Sequence, residues 1–372
     1  MITLDGSHGE GGGQILRTAL ALSMLTQKPF KIENIRKNRP TPGLKASHLA
    51  GIKILLELSD SIADGARIGS GELLFVPRPI TKFRCEVNVE TAGPVTLILQ
   101  TILLPLIFGK KISRITIIGG TDVSWSPQID YFSNVVLPSL QRFADIKIKL
   151  EKRGYYPKGQ GKIELFVKPK HVISNGGELE GFQKTAIEKK LQFNIVSQKN
   201  LLFIKGTSHA SNDLVDAKVA ERQERAAKQA LNHLNVPIII RPNYSNTESV
   251  GSGVTLYACF SDTDEMSPYE PIIIGADSLG EKNKRSEAVG EEAAKKLLNE
   301  INSGAAVDSH LADNIIPFLG INGGSIKTGK ITDHTLSNIY VTEKFLNIKF
   351  EVDKERNIIS CRRIERAEES NN

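Results

Sequence analysis

Leu4 to Arg17 reads L-D-G-S-H-G-E-G-G-G-Q-I-L-R: a short apolar strand, a glycine turn that holds one acid, and the start of a helix. Gly9, Gly11, Gly12 and Gly13 let the backbone take positive φ and approach a ligand closely, and a helix opening near Gln14 aims free N–H groups at the same place. An anion suits that position. Glu10 does not, unless a cation lies between the two, so the element is either a phosphate-and-metal site or a tight turn with a capping acid. It has neither the G-x-G-x-x-G spacing of a dinucleotide site nor the Lys-Ser/Thr pair of a nucleotide P-loop.

Further along, I-R-K-N-R-P-T-P-G-L-K sets Arg36, Lys37, Arg39 and Lys45 in one proline-stiffened loop that runs into a helix at Gly43. Guanidinium groups grip phosphate oxygens in a fork, so this loop is either a terminal-phosphate clamp or a solvated basic turn. Arg17, one turn into the first helix, could face the same anion. In T-A-G-P-V-T-L-I-L-Q-T, Gln100 falls two helical turns after Gly93 on an apolar helix, where a buried amide must find partners or a ligand. A third glycine turn, G-G-T-D-V-S-W-S-P, carries Asp122 and Trp125; the indole either stacks on a base or packs on its own domain. None of the seven histidines forms H-E-x-x-H. D-S-H-L-A-D-N puts His310, Asp313 and Asn314 on one helical face, fit for a metal or a nucleotide. His334, in I-T-D-H-T-L-S-N-I, stands where a strand ends and a helix begins, and a neutral imidazole is a good nucleophile near neutral pH. By residue type alone His334 does not rank above His8.

The elements that must position these groups recur. Strand, helix, strand, helix and two closing strands are expected over Ile2 to Leu73, with helices Gly13 to Thr26 and Gly43 to Leu58. The same order is expected over Phe83 to Val167, with helices Pro94 to Phe108 and Ile129 to Phe143. A looser third copy runs from a strand at Ile272 to Gly275 through helices Ser286 to Ile301, Leu311 to Leu319 and Leu336 to Leu346 to strands Ile348 to Val352 and Ile358 to Arg362. About 90 residues between copies two and three hold strands Leu191 to Ile195 and Leu201 to Lys205, a charged helix Asp213 to Leu234, and strands Ile238 to Arg241 and Gly253 to Phe260. The turn-rich flank at Ser174-Asn-Gly-Gly reads as a junction. The fold class is therefore α+β with α/β-type repeats: a large domain from residues 1–177 and 271–372, with a smaller α/β domain inserted at 178–270.

A chain of 372 residues with net charge +6 can bury a large core and suits a polyanionic partner. Three separated cysteines argue against both a disulfide framework and a zinc knuckle. No run of roughly 18 uncharged apolar residues and no signal-like start occur, so a cytoplasmic protein with no membrane partner is expected. The polar tail from Ala367 is expected to fray.

Taken in order, L-D-G-x-x-G-E-G-G-G-Q-I-L-R, I-R-x-x-R-x-x-P-G-L, A-G-x-x-T-L-I-L-Q-T, G-G-T-D, G-Y-Y-P-x-G-x-G and H-x-L-x-N-I-x-V-x-E-x-F resemble the RNA 3′-terminal phosphate cyclases over nearly the whole chain. The resemblance implies three repeats of a two-helix, four-stranded unit with a small inserted domain. It also implies ATP-dependent conversion of RNA 3′-phosphate ends to 2′,3′-cyclic phosphates with a divalent metal, Mg²⁺ or Mn²⁺, through a histidine–AMP adduct and an adenylylated RNA end. By the same resemblance His334 is the nucleophile, and Gln100 with His310, Leu311, Ala312, Asp313 and Asn314 contacts the nucleotide. Glu10 would hold the metal near the ATP phosphates, and Arg17, Arg36 and Arg39 would be the basic residues around the RNA and nucleotide phosphates. His310 and Asn314 stand where some relatives are expected to carry an aromatic and Gln. A non-catalytic branch that binds RNA in ribosome assembly shares the fold without the histidine, and enolpyruvyl transferases share a similar repeated architecture.

Overall fold

The computed structural model describes residues 1–173, 182, 185–267 and 270–363. Among them the strands form four four-stranded mixed sheets, each with helices against it. The first unit is β1 (Ile2–Asp5), α1 (Gln14–Thr26), β2 (Phe30–Glu33), α2 (Ala46–Leu58), β3 (Ile62–Asp64) and β4 (Leu73–Val76), with sheet order β1-β2-β4-β3. β1 and β2 run parallel because a helix returns the chain between them, and the remaining pairs are antiparallel. The second unit repeats this: β5 (Arg84–Asn88), α3 (Val95–Ile107), β6 (Ser113–Gly119), a helical segment α4 at 129–140 whose middle turn Phe132–Val136 is π-helical, β7 (Ala144–Lys152) and β8 (Gly161–Pro169), in order β5-β6-β8-β7.

The third unit opens at β9 (Phe193–Ile195) and is interrupted at once. β10 (Asn200–Ser211), α5 (Val219–Leu231), β11 (Ile238–Ser245), β12 (Ser252–Ser261), β13 (Ile272–Leu279) and α6 (Ser286–Asn302) intervene, with their own sheet β11-β10-β12-β13. The unit then resumes with α7 (Ser309–Asn322), β14 (Gly324–Lys327), α8 (Asp333–Phe345), β15 (Ile348–Asp353) and β16 (Ile358–Arg363), in order β9-β14-β16-β15. Its pairing repeats that of the first two units.

Two strands and a helix thus lie elsewhere than the sequence pattern suggests. The strand ending at Ile195, expected in the inserted segment, pairs parallel with β14, while Ile272–Leu279, expected to open the third copy, pairs antiparallel with β12. The helix at Ser286 packs on β13 and α5 rather than on the third repeat. Sequential strands joined by a short connection pair readily, as β12 and β13 do; a first strand cut off from its helix by a whole inserted unit loses its local signal. The 177/178 junction, the Ser174–Gly177 flank and the tail from Ala367 lie outside the described residues.

All thirteen residues of α1 are buried, since the helix runs between α3 and α8. That explains why Leu16, Leu20, Leu22 and Leu25 share it with other apolar residues nearly all round. β8 alternates cleanly, with Ile163, Leu165 and Val167 inward. Among the described residues no helix is long and apolar enough to cross a membrane.

Candidate active site

The glycine turn leaves the end of β1 with Gly9 and Gly11 at φ of 59° and 62°, and Gly13 leads into α1. A Cβ at Gly13 would lie 2.1 Å from His48 Nε2 and 3.0 Å from Arg17 Nη1, so only glycine lets the turn close over these side chains. A Cβ at Gly12 would fall 3.3 to 3.5 Å from Glu10 Oε1, Arg39 Nη2 and His334 Cε1, so this bare stretch of backbone is where the three side chains converge. Arg39 Nη2 lies 2.9 Å from Glu10 Oε2. On the other side His334 Nδ1 lies 2.8 Å from Glu10 Oε1, although neither atom is aligned for a hydrogen bond and both are buried.

His334 is in the first turn of α8, a turn earlier than the helix suggested by the apolar spacing. The helix starts there because Thr332 caps it, its Oγ1 accepting from Thr335 N at 3.0 Å. Asp313 fixes that cap from α7: its Oδ1 accepts from Thr332 Oγ1 at 2.6 Å and from Thr335 Oγ1 at 2.5 Å. Burial pushes the Asp313 carboxyl up, and the two threonine hydroxyls oppose the shift. Asn338, one turn beyond His334, donates to Asp313 O at 2.6 Å and accepts from Thr18 Oγ1 at 2.6 Å, tying α8 to α1.

Arg17 is buried, and its guanidinium donates to two amide oxygens: Nε to Gln100 Oε1 at 2.9 Å and Nη2 to Gln14 Oε1 at 2.5 Å. Gln100 Nε2 in turn donates to Asn314 Oδ1 at 2.9 Å, so one polar chain crosses α1, α3 and α7. Burial, and then the charge of Arg36, pull the Arg17 guanidinium down to about 10. Arg36 sits at φ 55°, donates to Thr41 O at 3.4 Å, and is likewise lowered by burial and then by Arg39. His48 Nδ1 accepts from Lys45 N at 3.0 Å, and its imidazole is pushed down to about 3 by burial, then by Arg17, Arg36 and Lys45, so it is neutral at physiological pH. Arg36 thus disfavours the charge of Arg17 as Arg39 disfavours that of Arg36, and among the described residues neither Arg17 nor Arg36 has a carboxylate partner. Burying such cations without a counter-ion is costly, and a bound anion would offset the cost.

The segment at the start of α7 divides. Leu311 and Ala312 are buried in the core, whereas His310 is exposed and stands edge-on to Tyr131 with ring centroids 6.1 Å apart. Asp308 caps this helix, accepting from His310 N and Leu311 N at 3.0 and 2.9 Å and from Tyr131 Oη at 2.6 Å. Gln14, Thr18, Gln100, Asp313 and Asn314, together with Leu103, Phe132 and Phe318, line a narrow cleft between α1, α3, α4 and α7. Glu10, Arg39 and His334 therefore touch; Arg17, Gln100 and Asn314 form the adjoining chain; Leu311 and Ala312 present no side chain to either.

The family model for RNA 3′-terminal phosphate cyclase matches residues 8–352. The chain belongs to this family. It is 43% identical to the RNA 3′-terminal phosphate cyclase of Pyrococcus abyssi over 356 residues, which cover 95% of this chain and 96% of that one. With the cyclases of Archaeoglobus fulgidus and Saccharolobus islandicus it shares 41% and 43% identity, over 95% and 96% of its length and 99% and 97% of theirs.

Several residues of this cyclase-family site have no signature in the sequence. His48 is a lone histidine on an apolar helix, and only the fold brings it under Gly13. Ser337, buried with Oγ unpartnered and 3.4 Å from where a Cβ of Gly9 would be, is equally silent. Thr332 did carry a signal, a threonine two residues before His334 at a helix start. A second polar cluster lies between the second repeat and the inserted unit. There Arg153 donates to Asp122 Oδ2 at 3.0 Å and to Asp130 Oδ2 at 2.6 Å, and His209 lies between Gln128 Oε1 at 2.7 Å and Tyr155 Oη at 2.8 Å. The ligand atoms of Asp122, Asp130 and His209 are close enough for a metal, but the Arg153 guanidinium bonds both carboxylates, and burial holds His209 neutral. Asp122 is thus part of an ion-pair network inside the second repeat, which His209 of the inserted unit adjoins through its hydrogen bonds to Gln128 and Tyr155.

Proposed function

We propose that the chain is an ATP-dependent RNA 3′-terminal phosphate cyclase. The observation that carries this reading is the pairing of a nucleophile with uncompensated cations: His334, held at a capped helix start beside Glu10, lies across one glycine turn from Arg17, on which the charge of Arg36 also acts. With Nδ1 turned to Glu10, Nε2 is the nitrogen left to attack. It would attack the α-phosphorus of ATP, forming a P–N bond as the bond to pyrophosphate breaks. The adenylyl group would pass from Nε2 to an oxygen of the RNA 3′-phosphate. The adjacent 2′-hydroxyl would then attack that phosphorus, losing its proton and expelling AMP. This last step gains from proximity, because the hydroxyl is tethered beside its target.

Arg17, Arg36 and Arg39 would hold phosphates in this scheme, and Gln100 and Asn314 the nucleotide at the cleft rim, with Asp313 acting through the α8 cap and His310 at its open edge. Glu10 Oε1, buried without a hydrogen bond, is the oxygen fitted to hold Mg²⁺ or Mn²⁺, whose chemistry is to screen phosphate charge; one carboxylate suffices where phosphates complete the shell. On sheet membership, the inserted domain would begin after Ile195 and end before Ser309. The test is incubation with ATP, divalent metal and RNA bearing a 3′-phosphate. Ends should become phosphatase-resistant and 2′,3′-cyclic, with one AMP released per end; ends that stay phosphatase-sensitive would refute the reading.

A further inference from the structure

Trp125, the one tryptophan of the chain, is 99% exposed at φ 67°, in the left-handed region that a bulky side chain rarely adopts. It does not pack on its own domain. The loop that carries it is nevertheless firmly built: Ile129 N donates to Thr121 O at 3.0 Å to close it, and Ser126 Oγ donates to Val123 O at 3.1 Å inside it. Its base is braced against the loop between β7 and β8, through Thr121 N to Gly154 O at 2.9 Å, Gly154 N to Thr121 Oγ1 at 2.9 Å, and the Arg153 ion pairs. That second loop presents Tyr156, 76% exposed, and is tied through Lys158 N to Ser249 Oγ of the inserted unit at 3.1 Å.

The position of this surface connects it to the active site. Thr96 Oγ1, in the first turn of α3, donates to Pro127 O at 3.0 Å. Gln100 follows one turn later on the same face, roughly 6 Å along the axis, and accepts from Arg17. The loop then enters α4, where Tyr131 faces His310. An exposed ring on a braced loop beside a polyanion site matches the construction of single-strand nucleic-acid surfaces, in which bases stack on aromatic faces while cations hold the phosphates.

We propose that Trp125 stacks on a base of the RNA strand upstream of its 3′-phosphate, with Tyr156 offering a second ring to the same strand. This rests on the reading of the chain as an RNA 3′-phosphate cyclase. ATP is the less suitable occupant, because Gln100 and Asn314, assigned above to the nucleotide, line a cleft between helices whereas the indole stands wholly in solvent.

The lone indole is its own reporter. In the full-length protein its fluorescence should be that of a hydrated tryptophan, quenched by a six-nucleotide RNA with a 3′-phosphate and unchanged by ATP alone. In steady state, Trp125→Ala should raise KM for the six-nucleotide substrate about tenfold, with a much smaller rise for a dinucleotide 3′-phosphate, and Trp125→Phe should restore most of the difference. Emission unmoved by an RNA that the enzyme cyclises, quenching by ATP alone, or equal KM effects on long and short substrates would each overturn the proposal. A parent protein that cyclises neither substrate would instead refute the functional reading, and the fluorescence titration would still decide whether Trp125 meets RNA.

Discussion

Arg17 marks the site at the scale of single residues, because its surroundings are hard to explain without a ligand. A guanidinium at about 10 is still protonated at neutral pH, yet this one is buried against amide oxygens and the charge of Arg36 opposes it. His48 shows the same field from the neutral side. Its folded value near 3 lies below the unfolded value near 6.5, so between these the unfolded chain binds more protons and stability falls as pH falls. His48→Gln should therefore flatten the acid limb by about 1.4 kcal/mol per pH unit between about pH 6 and 4, read from urea unfolding midpoints. An unchanged slope would mean that His48 is not held neutral. The sequence displays Glu10, Arg17, Arg36, Arg39 and His334 as residue types able to do chemistry. Which of them touch was not legible, because Glu10 meets Arg39 across a loop with no periodic spacing and meets His334 from another repeat.

Helix starts and loop bases do the positioning at the scale of elements. The Gly13 turn, the Thr332 cap and the Asp308 cap each fix one wall of the site, and the last two are polar residues that hold helix N–H groups. The network at Arg153 does comparable work between β6, α4, the β7–β8 loop and β10. Replacing Arg153 by Met would keep much of its volume but leave Asp122 and Asp130 uncompensated in the interior. A loss of about 3–5 kcal/mol is expected in chemical denaturation, and a loss below about 1 kcal/mol would show that the network contributes little. The helices of the first two repeats were legible from their periodicity. β14 was not, since Gly-Ser-Ile-Lys alternates too briefly to stand out, and α8 was placed late because its first turn is polar. Strand membership was illegible at β9 and β13 for a topological reason: pairing partners across an insertion leave no spacing to read.

At the scale of the molecule, the three repeats meet around one cleft to which each contributes a different part. The first gives the glycine turn and the basic loop, the second Gln100, and the third the two capped helices with Asp313, Asn314 and His334. Thr18 and Asn338, bonded directly, are 320 residues apart in the chain, so the site exists only once the whole body has folded. The intervening sheet sits between β9 and α7 and leaves the repeated pairing intact, which is why the repeated architecture was legible. In the function proposed above, this assembly presents His334 as the nucleophile. Incubated with ATP labelled at the α-phosphate and Mg²⁺ or Mn²⁺ but no RNA, the protein should gain an acid-labile label. His334→Ala should gain none, and label retained undiminished in that variant would contradict the account.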